Sequence, residues 1–124
     1  MTTALWCLLI SMFLPIVCVG ISKAGGQGYD NAQPRDWLAR QEGFRARAVA
    51  AQQNSWEALI IFAIAVLVAH GVAGPLESVD QMAVAFVLAR LAYIVAYVAN
   101  WALFRSLVWL LGFFLSISIF VAAA

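Results

Sequence analysis

Long apolar runs alternate along this chain with short polar interruptions. Residues 1–22, 58–76 and 106–124 contain no charged side chain. About 20 residues rising 1.5 Å each cover a hydrocarbon core of about 30 Å, so such runs read as membrane-crossing helices. The first run has no basic residue ahead of it and carries Lys23 behind it. It therefore reads as a membrane helix over about residues 3–22 and not as a cleavable leader. Gly25, Gly26 and Gly28 then supply a loop, and Pro34 suits the first turn of a second helix.

The second helix is predicted over about residues 34–72. Its wholly uncharged part, 58–72, has 15 residues and covers only about 22 Å. Spanning then draws Gln52, Gln53, Asn54, Ser55 and Glu57 toward membrane depth, where they need protein partners or a wet pocket. Gly74-Pro75 marks the next turn, and Ser78 with Gln81 three residues on resembles a capping box. The third helix, over about 79–103, holds a single charge, Arg90, with nine uncharged residues before it and fourteen after it. Asn100, Arg105 and Ser106 form a polar connection to a fourth helix over about 106–124. The pattern predicts one all-α domain, a four-helix transmembrane bundle spanning the whole chain.

Composition narrows the function classes. Of 124 residues 65% are apolar and 13 are charged, so a soluble enzyme of this size is excluded. Seven cations against six anions argue against nucleic acid. The cations have a topological use instead. Lys23, Arg35, Arg40, Arg45 and Arg47 follow the first span and Arg105 the third, whereas the second connection has only Glu77 and Asp80. By the positive-inside rule the first and third connections face the cytoplasm and both termini face outward. Cys7 and Cys18, eleven residues apart on one apolar face, read as packing residues, with no ligand set for a metal.

Two polar stripes stand out within the bundle. On the second helix Arg47, Asn54 and Glu57 share a face, with Gln53 one turn before Glu57; on the third, Arg90, Tyr93 and Tyr97 follow at spacings of three and four. A lone buried charge is costly, so Glu57 and Arg90 are expected to neutralise one another or a bound zwitterion. An interhelical clasp would account for one Glu and one Arg. Two amides, a carboxylate, two phenols and further arginines exceed that need and suit a polar ligand. His70, about thirteen residues and roughly 20 Å beyond Glu57, is expected at the far interface. Trp37, Trp101 and Trp109 read as interface or packing residues, and Trp56 fits either role.

The run from Arg47 through Gln53, Asn54 and Glu57, then Arg90-x-x-Tyr93-x-x-x-Tyr97 with Arg105 beyond, resembles the MAPEG family, the membrane-associated proteins in eicosanoid and glutathione metabolism. The likeness spans essentially the whole chain and points to a bacterial-type branch. It implies a homotrimer that holds glutathione between adjacent subunits near the cytoplasmic side and acts on a lipophilic substrate from the membrane lipid. By that resemblance Arg47, Gln53, Asn54, Glu57, Arg90, Tyr93 and Tyr97 bind glutathione, and Arg105 and Tyr97 activate its thiol for transfer or peroxide reduction. One position departs: where glutathione-using members carry an arginine four residues before the asparagine, this chain has Ala50, with Arg47 nearest. Two alternatives follow, a non-catalytic scaffold with a degraded site and a small multidrug-type proton-coupled transporter built around Glu57.

Overall fold

A computed structural model describes residues 1–124. Five helices run in order: α1 (Thr3–Lys23), α2 (Pro34–Ala39), α3 (Gly43–Ala73), α4 (Glu77–Val98) and α5 (Ala102–Val121). All but α2 are long and apolar enough to cross a membrane. They run alternately up and down, so the two termini and the α3–α4 turn share one end of the bundle. The basic α1–α3 connection and the α4–α5 turn share the other.

One of the two most extensive helix seams follows from small residues at helical spacing. On α1 the buried positions Ala4, Cys7, Ser11, Leu14, Cys18 and Ser22 recur every three or four residues. On α3 Ala48, Ala51, Ser55, half-buried Ala58, Phe62, Ala65 and Ala69 do the same, and the two helices pack along these faces. Lipid tails are as apolar as leucine, so close backbone approach through small residues holds such helices together better than apolarity does. Both cysteines are buried, unpaired members of this seam. Phe62 of α3 stacks on Phe86 of α4, ring centroids 3.9 Å apart, at the heart of the larger core cluster.

Three boundaries differ from the sequence pattern, each for a local reason. The expected helix over 34–72 is broken at residues 40–42. Gly43 opens α3 at φ +61°, a left-handed conformation that glycine adopts without penalty, and this lets α2 fold back toward α1. Trp37, 3% exposed, anchors α2 by donating its indole N–H to the Gln27 carbonyl at 2.9 Å and meeting Tyr29 edge-on. Arg45 completes the fold by donating to the carbonyls of Ser22 and Ala24 at 2.9 and 2.7 Å, the free C-terminal end of α1.

The expected capping box at Ser78 does not form. The helix starts at Glu77 with no side-chain cap, Gln81 donates to Glu77, and Asp80 turns to the amide of Ala4 instead. The positive N-terminal end of α1 is a stronger attraction for that carboxylate. The third helix ends at Val98, short of 103, because Asn100 takes φ +63°. Trp101 then donates its amide to Ala96 and Asn100 to Tyr97, a Schellman pair that closes α4 and starts α5 at Ala102.

The length of α3 decides the depth of its polar third. Thirty-one residues extend about 46 Å, some 16 Å more than the core. Counted back from Ala73, about 20 residues fill the core and reach Asn54. The apolar two-thirds of α3 can therefore cross the core by itself, while Arg47 and Gln53 lie toward the basic end of the bundle.

Candidate functional site

Arg90 is 2% exposed and is the only charged residue among the buried set. It sits on the α4 face that meets α3 and α5. Its Nη2 donates to Ser55 Oγ of α3 at 3.3 Å, and its guanidinium lies over the Tyr93 ring at 4.1 Å. The stem passes Gly112 of α5, where an added Cβ would lie 3.8 Å from Arg90 Cδ. The expected direct neutralisation by Glu57 is absent: Glu57 is exposed and takes a 3.4 Å hydrogen bond from Asn54 Nδ2. Ser55, two residues before Glu57 and so on a nearly opposite side of α3, receives the arginine's hydrogen bond, and the carboxylate stands on the open side.

Arg90, Glu57 and Asn54 nonetheless line one cleft between α3, α4 and α5, about 80 Å³ in volume. Its other walls are apolar or small, including Ile61, Phe86, Gly112 and Phe113. Asn54 Oδ1 is buried there without a hydrogen-bond partner. An unpaired buried acceptor is costly, and this oxygen, closed to solvent as it stands, would meet a ligand's donor once the Asn54 side chain turns toward the cleft. Trp109, expected only at an interface or in packing, is also part of the wall. Trp109, Gly112 and Ser116 were not legible as site residues, and Ser55 only as a polar residue needing a protein partner. The Gly112-x-x-x-Ser116 spacing, which lets a neighbour approach closely, is the signal that marks this face of α5.

The remaining candidates separate into two groups. Tyr93, Tyr97 and Arg105 continue from Arg90 as a ladder: Tyr93 meets Tyr97 edge-on at 5.6 Å, and the Arg105 guanidinium lies 4.4 Å over the Tyr97 ring. Cation over ring at both ends fixes two guanidiniums relative to two phenols. Arg47 and Gln53 lie elsewhere. Arg47 donates Nε to the Val98 carbonyl at 3.1 Å, holding α3 to the end of α4. Gln53 is about 100° around α3 from Asn54. It lines a second cleft of about 550 Å³, shared with Lys23, Arg35, Gln52 and Trp56 between α1, α2 and α3.

At the opposite end His70 joins α3 to the start of α1. Its Nδ1 bonds to the Val66 carbonyl at 3.0 Å, so that nitrogen carries the proton and, in the neutral ring, the Thr2 hydroxyl donates to Nε2 at 2.7 Å.

The geometry is that of a four-span bundle whose third span sets a buried arginine and two tyrosines against an Asn-x-x-Glu on the second. Residues 3–124 match the MAPEG family. The chain belongs to the MAPEG family. No curated protein and no solved structure matches it. MAPEG membership and four apolar helices make it an integral, multi-pass membrane protein in contact with lipid. Membership also associates it, at family level, with glutathione-related transferase and peroxidase chemistry.

Proposed function

We propose that this MAPEG protein binds glutathione and uses its thiolate against lipophilic electrophiles or hydroperoxides. The observation that carries the reading is the charge arrangement in the cleft. A buried guanidinium, Arg90, stands beside a carboxylate, Glu57, and an unpartnered acceptor, Asn54 Oδ1. Glutathione presents the complement: carboxylates for Arg90, and an ammonium for Glu57 and Asn54. The Tyr97 and Arg105 pair lies further along the ladder, and a guanidinium or phenol beside a thiol favours the thiolate. In conjugation the sulfur forms a bond to carbon while the leaving group departs with its electron pair. In peroxide reduction two glutathiones are oxidised to the disulfide while the hydroperoxide becomes an alcohol and water.

Size supports a shared site. Ligand clefts for drug-sized molecules run from about 300 Å³ upward, and 80 Å³ holds only part of a tripeptide. A closed ring is built by one face meeting a different face of the next copy. In a homotrimer the Arg90 cleft of one subunit would meet the Gln53 cleft of its neighbour, and Gln53, Lys23 and Arg35 would complete the polar wall. Lys23, Arg35 and Gln53 would put the mouth of such a site toward the basic end of the bundle, the cytoplasmic side by the positive-inside rule, in a bacterial inner membrane as the bacterial-type likeness implies. The test is purified protein assayed for oligomeric mass, glutathione binding by calorimetry and conjugation of a general electrophile. A protein that neither binds nor conjugates overturns the reading.

One observation favours a second reading, a scaffold with a degraded site. Ala50 leaves α3 without a guanidinium one turn before Asn54, and the nearest arginine, Arg47, is engaged by Val98. Replacing Ala50 with Arg separates the two readings by whether thiol binding appears. A proton-coupled transporter is separated by its own assay: uptake of cations into vesicles driven by a proton gradient and abolished by Glu57→Gln would favour it over both.

A further inference from the structure

We propose that Ser55 is a positioning residue for Arg90, turning the guanidinium toward a ligand carboxylate; this rests on the glutathione reading above. Ser55 differs from three other serines of the helices. Ser11, Ser106 and Ser116 each donate to the carbonyl four residues earlier in their own helix, at 2.8, 3.1 and 3.1 Å. Such a hydroxyl is satisfied locally and carries nothing between helices. Ser55, 3% exposed, instead bridges three helices. Its oxygen accepts from Arg90 Nη2 of α4 at 3.3 Å and faces Cys18 Sγ of α1 at 4.0 Å.

The consequence follows from donor arithmetic. A guanidinium has five N–H donors in a rigid plane. One goes to Ser55, and the Tyr93 ring covers a face at 4.1 Å. A hydrogen bond at one edge and a ring on one face together fix the orientation of a planar group. No carboxylate of the chain uses the remaining donors, although the group lines the cleft with Glu57. Ser55 therefore does what an ion pair would do for orientation while leaving the positive charge uncancelled for an incoming carboxylate. An aspartate at residue 55 would hold Arg90 equally firmly and remove that charge. The thiol of Cys18 is a weak acceptor for the serine proton, which leaves the hydroxyl oxygen free to face Arg90.

The experiment compares glutathione with its carboxyl-esterified form on the purified full-length protein, by calorimetry, in wild type, Ser55→Ala and Ser55→Cys. Wild type is expected to prefer the free acid. Ser55→Ala is expected to weaken glutathione binding about tenfold and ester binding less than threefold, with kcat at saturation within twofold. Ser55→Cys, of similar volume and weaker as an acceptor, falls between and carries the test if the alanine protein does not fold. In an Arg90→Ala background the serine substitution is expected to add nothing. A merely structural serine would lower both affinities equally, and that result overturns the proposal, as does an unchanged glutathione affinity in Ser55→Ala. Wild type that binds neither ligand overturns the glutathione reading and this proposal together.

Discussion

Asp80 Oδ1 accepts the backbone N–H of Ala4 at 2.7 Å, so the first turn of α4 caps the first turn of α1 across 76 residues of sequence. Thr2 adds a longer bond to the Leu5 amide and is itself held by His70. Amides at a helix start have no partner within the helix, and an anion there also meets the positive end of the dipole. Asp80→Ala removes the strongest of these caps and is expected to cost about 1–2 kcal/mol. Asp80→Asn keeps an acceptor oxygen and is expected to recover at least half. Thermal unfolding in detergent checks the order, and glutathione binding is expected to stay within twofold because the cap lies at the far end of the bundle.

The loop at the basic end offers a steric prediction. A Cβ added to Gly26 would lie 2.7 Å from Cη2 and Cζ2 of Trp37. The ring cannot retreat freely, because its N–H is committed to Gln27 and its edge to Tyr29. Gly26→Ala is therefore expected to destabilise the α1–α3 connection by about 1–3 kcal/mol. A phenyl ring lacks both offending atoms. The double variant Gly26→Ala with Trp37→Phe is expected to lose less than the sum of the single losses, read by proteolysis within residues 24–42.

The spans were legible because a soluble chain of this size has no interior large enough for such long uncharged runs, and Arg90 was legible because it is alone within one. The break at residues 40–42 was not, and that at 99–101 only in part, as a polar connection beginning at Asn100 with the helix still drawn through it. Each depends on a single left-handed residue, Gly43 or Asn100, that interrupts no hydrophobic pattern. The site was legible as stripes but not as contacts. Periodicity placed Arg47, Asn54 and Glu57 on one face and Gln53 close to it, yet Arg47 is taken by Val98 and Gln53 lines the other cleft. Ser55 was legible only as a polar residue that needs a protein partner, because nothing in the sequence says which helix supplies it.

Arg47 and Ala50 test whether the polar end of α3 is structural or ligand-binding. The Val98 carbonyl lies in the last turn of α4, where helix carbonyls have no helical partner. Arg47→Met is expected to lower the unfolding temperature by several degrees and leave glutathione affinity within threefold. Ala50→Arg adds a guanidinium one turn from Asn54 and is expected to tighten glutathione binding about tenfold, as one charge-assisted hydrogen bond would. A tenfold loss of affinity in Arg47→Met, with stability unchanged, would instead make Arg47 a ligand contact and release it from Val98.

Arg105 differs from Arg90 in what it should do to rate. It is half-buried near the start of α5, its guanidinium stacked on Tyr97, and the Trp101 carbonyl receives its backbone amide. A cation held beside a thiol stabilises the thiolate and lets the reaction run below the pH at which a free thiol ionises, near 8.5. Arg105→Ala is expected to lower kcat about a hundredfold at neutral pH, comparable to removing one donor from a developing anion, with KM for glutathione changed less than fivefold. The sign of the pH effect follows. Without the cation the thiol ionises at higher pH, so the deficit shrinks as pH rises toward 9 and the rising limb of the profile moves alkaline. Arg105→Lys keeps the charge but loses the flat stack, and is expected to retain the pH profile at a lower rate. A uniform loss at every pH in Arg105→Ala would assign Arg105 to holding Tyr97 and not to the sulfur.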